Sequence, residues 1–124
     1  MKKILALVSL VVLFGLLSFS FAQTQVESGN WGVNTDSHGY TLNKNKGERV
    51  VTVNVSFDVP FDVKPEIVLS VTALDADQKT PVRYNVSPMS ISRDGFTIQI
   101  KTWEDTEIFG IAGTWLAHAP AGTE

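Results

Sequence analysis

Four stretches of the chain alternate apolar and polar residues with a period of two, the pattern of strands with one face in a core and the other in water. In Arg49 to Phe57, Val51, Val53, Val55 and Phe57 alternate with Thr52, Asn54 and Ser56. In Glu66 to Leu74, Ile67, Leu69, Val71 and Ala73 share one face, while Ser70 and Thr72 share the other. Val82 to Ser87 places Val82, Tyr84 and Val86 inward and Arg83, Asn85 and Ser87 outward, with Pro88 predicted to end the strand. Gly95 to Trp103 sets Phe96, Ile98 and Ile100 against Thr97, Gln99 and Lys101. Asp75 to Pro81 reads as a polar turn and Arg93-Asp94-Gly95 as a tight one.

The last apolar run, Ile108 to Ala117, is apolar on both parities. Phe109, Ile111 and Trp115 are expected on one side, with Ile108, Ala112 and Leu116 on the other beside Gly110 and Thr114. Such a strand needs two covers. One is the domain's own second sheet, and the other could be a neighbouring subunit. Gln23 to Gly47 is rich in Gly, Asn, Ser, Thr and Lys, and reads as irregular loops with one short strand near Gln25 to Ser28. No helical periodicity follows the first 22 residues. Short strands at regular spacing, joined by Gly and Pro turns, predict an all-β fold, an antiparallel β-sandwich.

The N-terminus changes the composition of what folds. Lys2 and Lys3, the apolar run Ile4 to Leu17 and the small-x-small site Ser20-Phe21-Ala22 have the form of a secretory signal peptide over residues 1–22. Its loss would remove two lysines and lower the formal net charge from −3 by two, to −5. An acidic chain of about a hundred residues has room for one core and argues against a nucleic-acid or anionic-membrane partner. With no cysteine, the domain has no disulfide, thiol nucleophile or thiolate-bound zinc. The expected location is secreted or extracellular, or periplasmic in a bacterial cell.

Candidate chemistry is sparse. His38 and His118 lie far apart, with no carboxylate spaced to make a metal motif, and no cofactor signature accompanies them. Ser87, Ser90 and Ser92 lack a nucleophile elbow. Glu104, Asp105 and Glu107 offer a carboxylate cluster for glycoside hydrolysis, but a domain this small rarely holds the necessary cleft, and a solvated acidic corner is the preferred reading. Trp103 has the parity of Thr97, Gln99 and Lys101. A large aromatic there either turns back under a loop or stands as a flat platform for a ligand.

The segments RYNVSP, DGFTIQIKTWEDT, the pair Ile108-Phe109 and TWLA, preceded by VNVSFDVPF and KPEIVLSVTALD, resemble the H-type lectin domain, the family of snail agglutinins and the discoidin C-terminal domain. The resemblance covers roughly Val50 to Ala117, within a lectin-like domain set at 48–118 after the loop-rich 23–47 and before a tail at 119–124. It implies a six-stranded antiparallel sandwich, a homotrimer, and non-enzymatic binding of galactose- or N-acetylgalactosamine-type glycans between protomers, with a role in cell adhesion. Carried over, the binding arginine is Arg83, the stacking tryptophan Trp103, the residue after it Glu104 and the aromatic of the next strand Phe109. Two positions depart from the pattern. Lys46 occupies the place of an acidic residue, with Glu48 and Asp36 the nearby acids that could substitute, and Phe109 replaces a tyrosine. An ammonium cannot accept a bond from a sugar hydroxyl. The alternative implied by Lys46 is a structural or protein-interaction trimer that has lost its sugar site.

Overall fold

A computed structural model describes residues 23–121. The expected signal peptide lies outside the described residues. Six antiparallel strands form two three-stranded sheets: β1 (Thr24–Asn34), β6 (Ile108–Pro120) and β3 (Glu66–Ala76) in the first, in the order β1-β6-β3, and β2 (Arg49–Ser56), β5 (Gly95–Thr102) and β4 (Asn85–Met89) in the second, in the order β2-β5-β4. The period-two segments lie where their patterns place them in β2 and β5. Val51, Phe96, Ile98 and Ile100 are buried, Val53 and Val55 pack against the core, and Phe57 is buried just beyond β2. The sandwich is the fold the alternation predicts.

An aromatic cluster joins the sheets. The ring of Trp115 on β6 lies 5.6 Å from Phe96 on β5 and 5.9 Å from Phe57, which packs edge-on against Phe61 at 4.8 Å. Within the first sheet, two reciprocal cross-strand pairs flatten the core face: Gly29 pairs with Trp115, and Trp31 with Gly113. A Cβ on Gly29 would sit 2.6 Å from the Trp115 ring, and one on Gly113 would sit 2.9 Å from Trp31 and 1.7 Å from the Ser70 carbonyl oxygen. Each glycine leaves the space that its partner indole covers.

The structure corrects the sequence reading at four places. β1 is eleven residues long, not a short strand in loops. Its inward positions near the start are Gln25 and Glu27, which gave no apolar signal because they bind backbone instead. Glu27 accepts from the amides of Asp58 and Val59, and Gln25 donates to the carbonyl of Val59. β4 begins at Asn85, so Val82 and Tyr84 are exposed and not inward. It runs on through Pro88, tolerated because β4 is an edge strand and needs no amide on its open side.

β3 runs on to Ala76, through what was expected to be turn, and its register slips between Val71 and Ala73, which turns Ala73 outward. A second slip, where Ala76 pairs with Ile108 after Asp75 has paired with Gly110, leaves Phe109 opposite no residue of β3. Ile108 is therefore fully buried and Phe109 exposed, the reverse of the parity expected. β6 also extends to Pro120, into the segment read as a tail.

Gly113→Ala should be severely destabilising, on the order of 3 kcal/mol or more, because backbone of β3 and the Trp31 ring both occupy the space of the new methyl. The denaturant midpoint of the variant against wild type measures this.

Candidate functional site

The corner between β5 and β6 is built on two buried threonines. Thr102 Oγ1 donates to the carbonyl of Arg83, and Thr106 Oγ1 donates to the carbonyl of Pro81 at 2.8 Å while accepting from the Arg83 amide at 3.2 Å. These bonds tie the segment leading into β4 alongside the corner. Arg83 Nη1 then donates to Asp105 Oδ1 at 2.9 Å and to Thr106 Oγ1 at 3.2 Å. Glu104, at the apex, takes a left-handed backbone with φ of 58°.

The loop between β1 and β2 locks onto this corner through Arg49. Arg49 is 6% exposed, and its guanidinium donates to four carbonyls: Nε to Gly47, Nη1 to Leu42 and Lys44, and Nη2 to Glu104. The Gly47 amide adds a bond to the same Glu104 carbonyl, at 2.9 Å. Tyr40 and Leu42, both buried, complete the junction by bonding the backbone of Ile108 from hydroxyl and carbonyl. Burial and the nearby negative charge of Asp75 push the Tyr40 phenol up from 10.0 to about 12. Sequence reasoning missed Arg49, although it carries a signal. It shares the inward parity of Val51 and Val53, where a cation is out of place unless the backbone satisfies it.

Of the residues carried over from the family resemblance, the structure brings four around this junction. Trp103 and Glu104 form the corner, Arg83 is bonded to it, and Lys46 is exposed on the loop that Gly47 fastens to Glu104. Phe109 stands apart, exposed at the bulge of β6, with its carbonyl bonded to the amide of Thr35. Beside Trp103 opens a hollow of about 370 Å³ lined by Glu48, Asn85, Lys101 and Trp103. Lys101 Nζ lies 3.3 Å from Glu48 Oε1 across it. Glu48, Asn85 and Lys101 had not been joined into a site by sequence, because Glu48 immediately precedes β2 while Asn85 and Lys101 lie on β4 and β5, and only the register aligns them. Among the described residues no three of His, Asp and Glu gather to hold a metal.

An indole face with carboxylate, amide and ammonium around it suits a polyhydroxylated ligand. The apolar patch of a pyranose ring can lie on the indole, and its hydroxyls need both acceptors and donors. The acidic corner is less suited to glycoside cleavage, since Asp105 is engaged by Arg83.

Comparison with known proteins points the same way. The model of the H-type lectin domain matches residues 52–118. A protein of Fuscovulum blasticum described as ATP synthase subunits region ORF 7 is 35% identical over 71 residues, which are 57% of this chain and 62% of that protein, so the chain spans less than two thirds of this curated relative. Two solved structures of discoidin II from Dictyostelium discoideum, one recombinant and one wild-type, superpose with a TM-score of 0.70 at 21% identity. They cover 83% and 82% of this chain, against 40% and 38% of the discoidin chains, and show the same fold.

The Tyr40 hydroxyl gives the junction a pH dependence with a definite sign. Because the folded state holds the phenolic proton more tightly than the unfolded state, the stability it contributes is fully present below pH 10 and lost as pH rises through about 12. Tyr40→Phe should flatten the alkaline fall in stability over that window, by on the order of 2 kcal/mol. Chemical denaturation at several alkaline pH values measures the difference.

Proposed function

The chain belongs to the H-type lectin domain family, and from that premise we propose that it is a secreted, non-enzymatic lectin that binds galactose- or N-acetylgalactosamine-type glycans as a homotrimer. A carbohydrate-binding lectin fold follows from the family and the sandwich. The observation that carries the reading is the Trp103 corner: a half-exposed indole held at the mouth of a polar hollow, with Arg83 bonded to the same corner. In the arrangement carried over, Arg83 of one protomer faces Trp103, Glu104 and Phe109 of its neighbour, and Lys46 lies on the loop beside the sugar.

The first sheet supplies a surface for self-association. Its outer face carries Leu116 between Ser28 and Val68, with Val26 and Val68 each 55% exposed and Ala112 and Gly32 forming a low floor beside them. Ile108, expected on this face, is in the core, so the contact would rest on Leu116, Val68 and Ala112. Several weak sites on one rigid body give avidity that a single sugar contact does not. The alternative, a protein-interaction trimer without sugar binding, is favoured by Lys46, which supplies donors where the family has an acceptor.

Arg83→Ala and Trp103→Ala should each weaken binding to galactosides on a glycan array by on the order of 1 to 3 kcal/mol, with Trp103→Ala leaving the fold intact. Co-refolding the two variants should restore a fraction of sites if the binding groups come from different protomers. Wild-type protein that binds no glycan would leave the protein-interaction reading in its place.

Leu116→Arg should dissociate the trimer, since a charge placed in an apolar contact costs several kcal/mol. Sedimentation equilibrium decides this, and a wild type that is monomeric at micromolar concentration would remove the shared site.

A further inference from the structure

The position that Lys46 leaves without an acceptor has a structural replacement. Arg49 pairs with Thr102, so Glu48, one residue before it, comes alongside Trp103 at the end of the second sheet. One row further in, Val50, Lys101 and Asn85 lie side by side on β2, β5 and β4. All these residues share the outer parity, and the hollow opens where the ends of β2, β5 and β4 meet.

Apart from one ion pair, its polar groups have no partner among the described residues. Glu48 is bonded only through Oε1, to Lys101, and its side chain is 65% exposed. Oε2, the Asn85 side-chain amide and the Trp103 indole N–H have no protein partner among the described residues. A carboxylate oxygen, an amide that both donates and accepts, and an indole plane with one donor are the groups that adjacent ring hydroxyls and an apolar C–H patch require. The Arg83 guanidinium bonds Asp105 and Thr106 through Nη1 alone.

We infer that the hollow formed by Glu48, Asn85, Lys101 and Trp103 is the saccharide subsite beside the Trp103 corner, in which Glu48 accepts the sugar hydroxyls that Lys46 cannot. The inference rests on the lectin reading and adds its acceptor. Lys101 balances the Glu48 charge, so the ligand is a neutral hexopyranose and not a cationic amino sugar. Lys46 is exposed on the loop and does not line the hollow.

Titration calorimetry with methyl β-galactoside on wild type, Glu48→Gln and, as a control outside the hollow, Lys64→Ala tests this. Loss of one charge-assisted bond should weaken Glu48→Gln by about tenfold or more, while Lys64→Ala changes affinity less than about twofold. Both variants should melt as wild type does, because both side chains are exposed. In wild-type protein labelled with nitrogen-15, the sugar should shift the Trp103 indole and Asn85 amide resonances, which reads the subsite without any mutation. Glu48→Gln binding as tightly as wild type, or shifts that spare Trp103 and Asn85, would overturn the subsite and leave the lectin reading standing. Wild type that binds no sugar by either method removes both.

Discussion

The buried guanidinium of Arg49 is the constraint on which the functional end of the molecule depends. A cation taken out of water must have its hydrogens satisfied, and here carbonyl oxygens from two loops do this in place of a carboxylate. None of these carbonyls belongs to a strand ladder, so the two loops acquire through Arg49 the order that pairing gives the strands. The left-handed backbones of Asn45, Gly47 and Glu104 fall in the same region, where the chain must turn its carbonyls inward. Replacing Arg49 by an apolar residue would leave several inward carbonyls without a donor, and the corner would lose its fixed relation to the loop.

The outward faces of the two sheets differ in degree. That of the first sets Val26, Val68, Leu116, alanine and glycine among Ser28, Asn30, Glu66 and His118, with Ser70 and Thr114 bonded to each other. That of the second carries Thr52, Asn54, Thr97, Gln99, Lys101 and Asn85 beside Val50 and Met89. Since strand parity fixes both faces at once, one residue of slip would have exchanged core for surface in either sheet. The reciprocal Trp–Gly pairs guard against that slip in the first sheet, because each indole fits only over its own glycine.

Much of the architecture was legible because β2 and β5 alternate cleanly, and alternation is the direct trace of a half-buried strand. β1 was not, since Gln25, Glu27 and Gly29 occupy its inward positions for reasons that lie elsewhere: two grip the loop after β2 and one yields to Trp115. The reversal of Ile108 and Phe109 escaped for a similar reason, because a bulge is set by the partner strand. Trp103 could be placed on the outer side by counting from Phe96, and the family resemblance supplied Arg83. The grouping of Glu48 and Asn85 with Trp103 needed the register of three strands, which no local window contains.

Arg49 and Glu48 are neighbours in sequence with opposite duties. The odd parity turns Arg49 into the junction that holds the corner, and the even parity turns Glu48 out to the hollow, where among the described residues it makes one partly exposed ion pair, with Lys101. Exposed pairs of this kind contribute little to stability. The rim of the hollow is thus free to mutate while the scaffold beneath it stays fixed, and a lineage of such chains could drift from one glycan to another without passing through an unfolded ancestor.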